Sequence, residues 1–404
     1  MIRYRAAWIL PISAAPIRAG WVILEHGRIV AVSSNDGPPP ASDDLRTIDT
    51  IDLGDVAVLP GLVNAHTHLE LSWMRGRVAP SDSMPAWAAS LMALRRENAA
   101  EPVAPIETAI KEAREAGTAL VGDVTNTLAP DQLLRESPLA GAMFYELLGF
   151  SAPEPEQVVA RARSALNSLP GRMEWSRTIV PHAPYSVSPD LFRAIGSAAG
   201  DRPISIHIGE SRDEMEFLRD GSGAWRELLG RLGVWNDRWE PPGCGPVEYL
   251  DRLGLVNDRL MAVHGTQLPD GELARLVSAG ATVVTCPRSN RWTGAGTPPI
   301  ERFYASGVRV AVGTDSLASV EDLNVFQELA CARRLAPHVP ARLLLESATI
   351  AGATALGLGS EFGTMESGKR AALIAIRVPR SVEDVEEYLV SGVQPDTITW
   401  LDAM

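Results

Sequence analysis

Residues 56–72 read VAVLPGLVNAHTHLELS, and the reading of the whole chain turns on this stretch. Val56 to Val63 is an apolar run broken only by Pro60 and Gly61, long enough for a fully buried strand. It runs into a polar cluster that contains His66 and His68. Residues two apart on a strand share a side, so both imidazoles face one point in space. Two neutral imidazoles at that spacing supply half of a metal site. Paired histidines at one strand end also arise by chance. The chain holds only 7 histidines, so the placement of the others decides.

Working outward to the N-terminus, residues 1 to about 55 read as short strands: AAWIL, then WVILEH and RIVAV around a turn at His26-Gly27, then TIDTIDLG. A loop rich in Ser, Gly and Pro is expected at Ser33 to Asp44. This is too little material to bury a core alone. The tail offers a partner. FGTMESGKRAALIAIRVP (362–379) is turn followed by strand, and VQPDTITWLD (393–402) resembles a last edge strand. Residues 1–55 and 359–404 are therefore expected to form one composite β-sandwich.

Towards the C-terminus the chain alternates strand and helix, which argues for parallel strands. TALVGDV (118–124) is the second strand of this series, and later ones begin near Ala140, Arg177, Pro203, Arg259, Ala281 and Val308. Helical spacing lies between them, as in MPAWAASLMALRREN and PIETAIKEAREAG, with Gly117 as a stop. Eight strands followed by helices or long loops fit an α/β fold, a (β/α)8 TIM barrel over residues 56–358. Its chemistry would sit at the C-terminal strand ends. One irregular insertion, about Gly221 to Pro246, carries Trp225, Trp235 and Trp239. It is read either as a lid or as a packed surface excursion.

The strand ends carry His66 and His68, then Asn126, Glu146, His182, His207 with Glu210, His264, Ser289 with Asn290, and Asp315. A lone buried histidine is usually a satisfied core residue. Five at matching positions, with an aspartate after an apolar strand, point to one site. Three histidines and a carboxylate suit a divalent ion with an open position for water. Such an ion lowers the pKa of its water from ~15.7 towards ~7. Glu210, three residues past His207, suits a proton shuttle.

Composition excludes other classes. A net charge of -13 argues against nucleic acid, whose binding needs a basic face. Apolar residues at 46% and charged residues at 22% describe a globular chain. Cys244, Cys286 and Cys331 form no Cys-x-x-Cys pair, so neither a zinc ribbon nor a disulfide framework is expected, and a cytoplasmic location fits. The first residues superficially resemble a signal peptide, but Pro11 interrupts the apolar run and strands follow directly. No 18-residue apolar stretch follows, so no membrane span is expected.

The set PGLVNAHTHLE (60–70), HAPYSVS (182–188), HIGES (207–211), VHG (263–265), CPRSN (286–290) and GTDS (313–316) resembles the amidohydrolase superfamily, in its deaminase and chlorohydrolase branch. Each piece alone is weak; in this order across nearly the whole chain they are specific. The resemblance implies a barrel with a terminal β-sandwich and one divalent ion, zinc or else iron or manganese, bound by His66, His68, His207 and Asp315. It implies that Glu210 protonates a ring nitrogen, that His264 orients the hydrolytic water or polarises the reacting centre, and that His182 contacts substrate. A homodimer is the family expectation. Two departures stand out: Gly209 where the family often has Ala, and no aspartate near Ala372. Binuclear members use a lysine at the end of strand four. This chain has only Lys111 and Lys369, in other segments, so one metal is expected.

Deamination of an aminated heteroaromatic ring fits these parts. NAHTHLELS, GDVTN, CPRSNR and GTDSLAS look similar to the aminodeoxyfutalosine deaminases of that branch, which implies a menaquinone-route substrate carrying a benzoate. An arginine fork would bind the carboxylate, with Arg288, Arg291, Arg75 and Arg77 as candidates. Glu70, Asn290 and Ser316 are further substrate-binding candidates, Glu70 alternatively bracing a loop. Other adenine nucleosides remain open as substrates, as do amide or carbon–halogen hydrolysis at the same site and a non-catalytic scaffold on the same fold.

Overall fold

The computed structural model describes residues 1–35, 48–98, 102–172 and 174–401. In chain order its strands are β1 (Ile2–Ile9), β2 (Ile17–Glu25), β3 (Arg28–Ser34), β4 (Asp49–Asp52), β5 (Val56–Pro60), β6 (Leu62–Thr67), β7 (Thr118–Thr125), β8 (Ala140–Leu147), β9 (Trp175–Pro181), β10 (Ile204–Ile208), β11 (Leu260–His264), β12 (Thr282–Thr285), β13 (Arg309–Val312), β14 (Leu373–Arg377) and β15 (Ile398–Leu401). The loop expected at Ser33–Asp44 lies largely outside the described residues; its first two serines close β3.

The apolar run Val56–Val63 is two strands where one was expected. Pro60 has no N–H for a continuing ladder. A Cβ on Gly61 would come within 2.7 Å of both Ala119 and Trp400. The chain therefore turns at Gly61, passing from one sheet to another. Gly61 N donates to Ala372 O at 2.8 Å, and Leu62 N donates to Gly117 O at 2.8 Å.

The two chain ends share one seven-stranded sheet, in the order β15-β14-β5-β1-β2-β3 with β4 beside β1. β5 pairs antiparallel with β14, and β15 takes the edge that the tail sequence implied. The β2–β3 hairpin turns at His26 and Gly27, both at positive φ (47° and 73°), as a two-residue turn of matching twist requires.

The remaining strands form two four-stranded parallel sheets, β6-β7-β8-β9 and β10-β11-β12-β13. β6, β7, β10, β11 and β12 are buried at every residue, as parallel strands covered on both faces should be. Backbone bonds cross both gaps between the sheets at their C-terminal ends. His207 N donates to His182 O, and Asp315 N to His66 O, each at 3.0 Å. The insertion at 221–246 is less irregular than expected, since Ala224–Arg231 is a helix with Trp225, Leu228 and Leu229 buried. Among the described residues no helix is long and apolar enough to cross a membrane.

Candidate metal and catalytic site

β6 ends by presenting buried His66, with His68 just beyond it; β10 carries His207, β11 ends on His264, and Asp315 follows β13. The ring centroids of His66 and His68, and of His66 and His207, are 4.9 Å apart. His68 Nε2 lies 3.3 Å from His207 Nε2 and 3.7 Å from Asp315 Oδ1. Ligand atoms of His66, His68 and His207 all fall within 4.8 Å of one another. Both ring nitrogens of His66 are buried without a hydrogen-bond partner. A buried polar group without a partner is costly, and three converging nitrogens beside a carboxylate are what a divalent cation takes up. The donor set fits one such ion.

The surroundings fix the ligand-competent forms. His207 Nδ1–H donates to His182 O at 3.0 Å, which leaves the Nε2 lone pair facing the cluster. Burial pushes His207 down to about 4, aided by His182. Burial, then the neighbouring imidazoles, hold His66 and His68 well below 6.5. Neutral imidazole is the form that binds metal. Burial lifts Asp315 to about 6 although Ser289 Oγ and Ser316 N donate to it at 2.5 and 2.7 Å.

Glu210 is 2% exposed, and its Oε1 lies 3.4 Å from His264 Nε2. Burial, then Asp315 and Glu214, push its carboxyl well above the ordinary range, which favours the protonated acid. Asn290 Nδ2 donates to His264 Nδ1 at 3.0 Å, so the His264 proton sits on Nε2 and faces Glu210. His264 and Asp315 adopt left-handed backbone (φ 72° and 61°), strain of the kind held at functional sites.

The turn that aims Glu210 is built by a residue the sequence reading passed over. Glu214 accepts from Gly209 N at 2.9 Å and Glu210 N at 2.8 Å, while its own N–H donates to Ser211 Oγ. The signal was present as Ser211-x-x-Glu214, the capping-box spacing that opens the helix Arg212–Asp220.

A cavity of about 690 Å³ opens onto His68, His182, His207, Glu210, His264 and Asp315, with Ser316 also in its wall. The rest of the wall is mostly apolar, from Trp87, Leu91, Phe150, Trp225 and Leu228. Trp225 stacks on Tyr185 at 3.8 Å, and Trp239 on Phe217 at 4.6 Å. The insertion is thus both packed and part of the wall.

Several substrate-contact candidates fall elsewhere. Arg288 donates to Glu328 at 2.6 Å and Asp322 at 2.9 Å, and neither it nor Asn290 lines the cavity. Arg75 pairs with Glu112, Arg77 lies over Trp73, and Arg291 is exposed outside the cavity wall. Glu70 is 1% exposed and braces a loop: Thr125 Oγ1, Thr127 Oγ1 and the N–H groups of Asn126 and Thr127 all donate to it. The arginine that does line the cavity is Arg95, held by Glu70 and Asn126. Nothing in its helical surroundings, ALRRE, distinguishes it in sequence. Lys111 pairs with Glu115 on an outer helix, and Lys369 with Glu366 and Gly359 O, both apart from the site.

Residues 57–394 match the Amidohydrolase family. The chain is 34% identical over 327 residues to an aminodeoxyfutalosine deaminase of Deinococcus radiodurans, covering 74% of this chain and 73% of that protein. It is 29% identical over 401 residues to a 5-methylthioadenosine/S-adenosylhomocysteine deaminase of Desulforudis audaxviator, covering 93% and 84%. Among solved structures it resembles an adenosine deaminase from Xanthomonas campestris with bound zinc, at TM-score 0.82 and 27% identity, covering 98% of this chain and 90% of that one.

Proposed function

The chain belongs to the amidohydrolase family, and from that premise we propose that it is a metal-dependent aminohydrolase of an aminated heteroaromatic ring, with 6-aminodeoxyfutalosine as substrate. The single observation that carries this reading is the convergence of His66, His68, His207 and Asp315 beside the Glu210–His264 pair on one cavity. In this reading the eight parallel strands close as one barrel over residues 56–358, supported by the two backbone bonds that cross between the sheets. Residues 1–55 and 359–404 form the smaller β-sandwich unit. The enzyme works as a cytoplasmic homodimer.

His66, His68, His207 and Asp315 hold one divalent ion, zinc in preference to iron or manganese. When bound, the ion acidifies a water and so supplies the nucleophile at neutral pH. Everything else falls to the protein. Asp315 takes a proton from the water. Glu210, kept protonated by burial, donates to the ring nitrogen beside the amino-bearing carbon. His264, with its proton on Nε2, orients the water, and His182 faces the substrate from the cavity wall. The carbon gains the water oxygen. The proton taken up by Asp315 passes to the amino nitrogen, whose bond to the carbon breaks so that ammonia leaves. The remaining hydroxyl proton returns to Glu210 as the carbonyl forms.

The Desulforudis relative favours a second reading, a 5-methylthioadenosine or S-adenosylhomocysteine deaminase using the same residues. Metal-loaded protein is therefore assayed for ammonia release from aminodeoxyfutalosine, adenosine, methylthioadenosine and S-adenosylhomocysteine. Faster turnover of the first is expected; equal or greater turnover of the others replaces the substrate. Halide release or ring opening in place of ammonia would point to the chlorohydrolase or amide-hydrolase alternative. Glu210→Gln should lower kcat by about 10²- to 10⁴-fold while keeping the metal, measured by elemental analysis. Unchanged turnover removes Glu210 from the chemistry.

A further inference from the structure

Glu146, next to last in β8, is a carboxylate that the proposed reaction leaves unused. It is 4% exposed and reaches the cavity wall beside His207. Its two oxygens have different neighbours. Oε2 accepts from Asn126 Nδ2 at 2.9 Å, and Asn126 is itself held through Oδ1 by Arg95 at 3.2 Å. Oε1 lies 3.4 Å from His207 Nδ1. The same Nδ1–H donates to His182 O at 3.0 Å, so this single donor faces a carbonyl and a carboxylate together.

That arrangement has a chemical consequence. A carboxylate beside the distal N–H of an imidazole draws on its proton, raises the basicity of the opposite nitrogen and holds the ring plane. The opposite nitrogen here is His207 Nε2, 3.3 Å from His68 Nε2 at the centre of the cluster. The carbonyl of His182 alone fixes the tautomer; only Glu146 adds negative charge. The loop Thr125–Thr127, anchored on Glu70, keeps Asn126 in place to orient that charge.

We infer that Glu146 is a positioning residue that strengthens His207 as a metal ligand, set by the line Arg95–Asn126–Glu146–His207. The inference rests on the proposed ligand role of His207.

The test reads metal affinity without any substrate. Metal-free wild type, E146Q, E146D and H207N are titrated with zinc in competition with a chromophoric chelator, and folding is followed by circular dichroism. Wild type should bind one zinc. E146Q, which keeps the shape and loses the charge, should bind it about 10- to 100-fold more weakly. E146D, which keeps the charge one methylene further back, should fall between the two. Wild-type zinc affinity in a folded E146Q overturns the inference. Should E146Q not fold, E146D decides: weakened zinc binding supports the inference, and wild-type affinity overturns it. Zinc bound by H207N as tightly as by wild type would remove the ligand assignment, and with it this inference. Failure of every nucleoside assay with zinc affinities as expected would instead overturn only the substrate reading.

Discussion

The amide of Asp315 donates to the carbonyl oxygen of His66 at 3.0 Å, tying two proposed metal ligands together through backbone although 249 positions separate them in sequence. The residues just before them repeat the link. Asn64 Nδ2 donates to Thr314 Oγ1 at 2.7 Å, and Thr314 N donates to Asn64 Oδ1 at 3.0 Å. Gly313 makes the approach possible, because a Cβ there would lie 2.7 Å from His66 O. The relative placement of His66 and Asp315 thus depends on a latch behind them.

Asn64→Ala removes both side-chain bonds, leaving the buried Thr314 N–H without its acceptor and the Thr314 hydroxyl with only its own bond to Asp315 O. The expected loss is about 2–4 kcal/mol of unfolding free energy. Zinc affinity should fall with it, since His66 and Asp315 are no longer held in register. Urea denaturation and a zinc titration measure the two effects. A variant with wild-type values in both would show that the backbone bond suffices.

Of the two roles open to Glu70, substrate contact and bracing a loop, its hydrogen bonds support the second: it anchors residues 125–127. Glu70→Ala strands several buried donors, so a loss of about 3 kcal/mol or more is expected. KM should rise as well, because Asn126 and Arg95 both line the cavity and both depend on that loop. The isosteric Glu70→Gln should retain part of the stability. If Glu70→Gln instead lost activity with an unchanged urea midpoint, Glu70 would have to reach the substrate.

The histidines were legible because burial and the two-residue strand repeat act locally. VAVLPGLVNAHTH shows an apolar strand and what stands at its end within one window. The break at Pro60-Gly61 was legible too, yet its meaning depended on Ala119 and Trp400, which only the fold brings near Gly61. Arginine partners were not legible. Arg288 finds Glu328 40 positions away, and Arg95 finds Glu70 25 positions away, by contacts that no spacing encodes. Glu214 belongs with the local cases: its capping-box spacing and its bonds to Gly209 and Glu210, five and four positions back, lie within one short window.

Gly209 occupies a place that a side chain would break. Its φ is +58°, and a Cβ would come within 2.4 Å of Leu268 Cδ2. An alanine would therefore displace either Leu268 or the turn. Gly209→Ala is expected to cost about 1–3 kcal/mol. It should lower kcat more than it raises KM, because Glu210 is the adjacent residue. Thermal denaturation and steady-state kinetics test this; a neutral result would mean that Leu268 moves freely.

The buried ionisable groups set how the stability of the metal-free protein follows pH. Burial holds His182 and His207 at about 4, and His66, His68 and His264 well below 6.5. Unfolded, these imidazoles titrate near 6.5. Between about 4 and 6.5 the unfolded chain thus binds more protons, and these groups make stability rise with pH. Burial acts oppositely on the carboxylates, lifting Asp315 to about 6 and Glu214 and Glu328 to about 7, with Glu146 and Glu210 also raised. From their unfolded values up to these, the native state binds more protons and stability falls as pH rises. The two sets oppose each other until the unfolded imidazoles have lost their protons, about one unit above their unfolded value of 6.5. Beyond about pH 7.5 the histidines are almost neutral in both states, and only the raised carboxylates go on titrating. The urea midpoint of metal-free protein should therefore drop between about pH 7.5 and pH 8.5. Zinc bound beside Asp315 should offset part of that decline and add about 4 kcal/mol when free zinc stands at ~1,000 times its Kd. A metal-free midpoint that climbs across the same interval would mean that the buried carboxylates, Glu214 and Glu328 first, ionise without penalty.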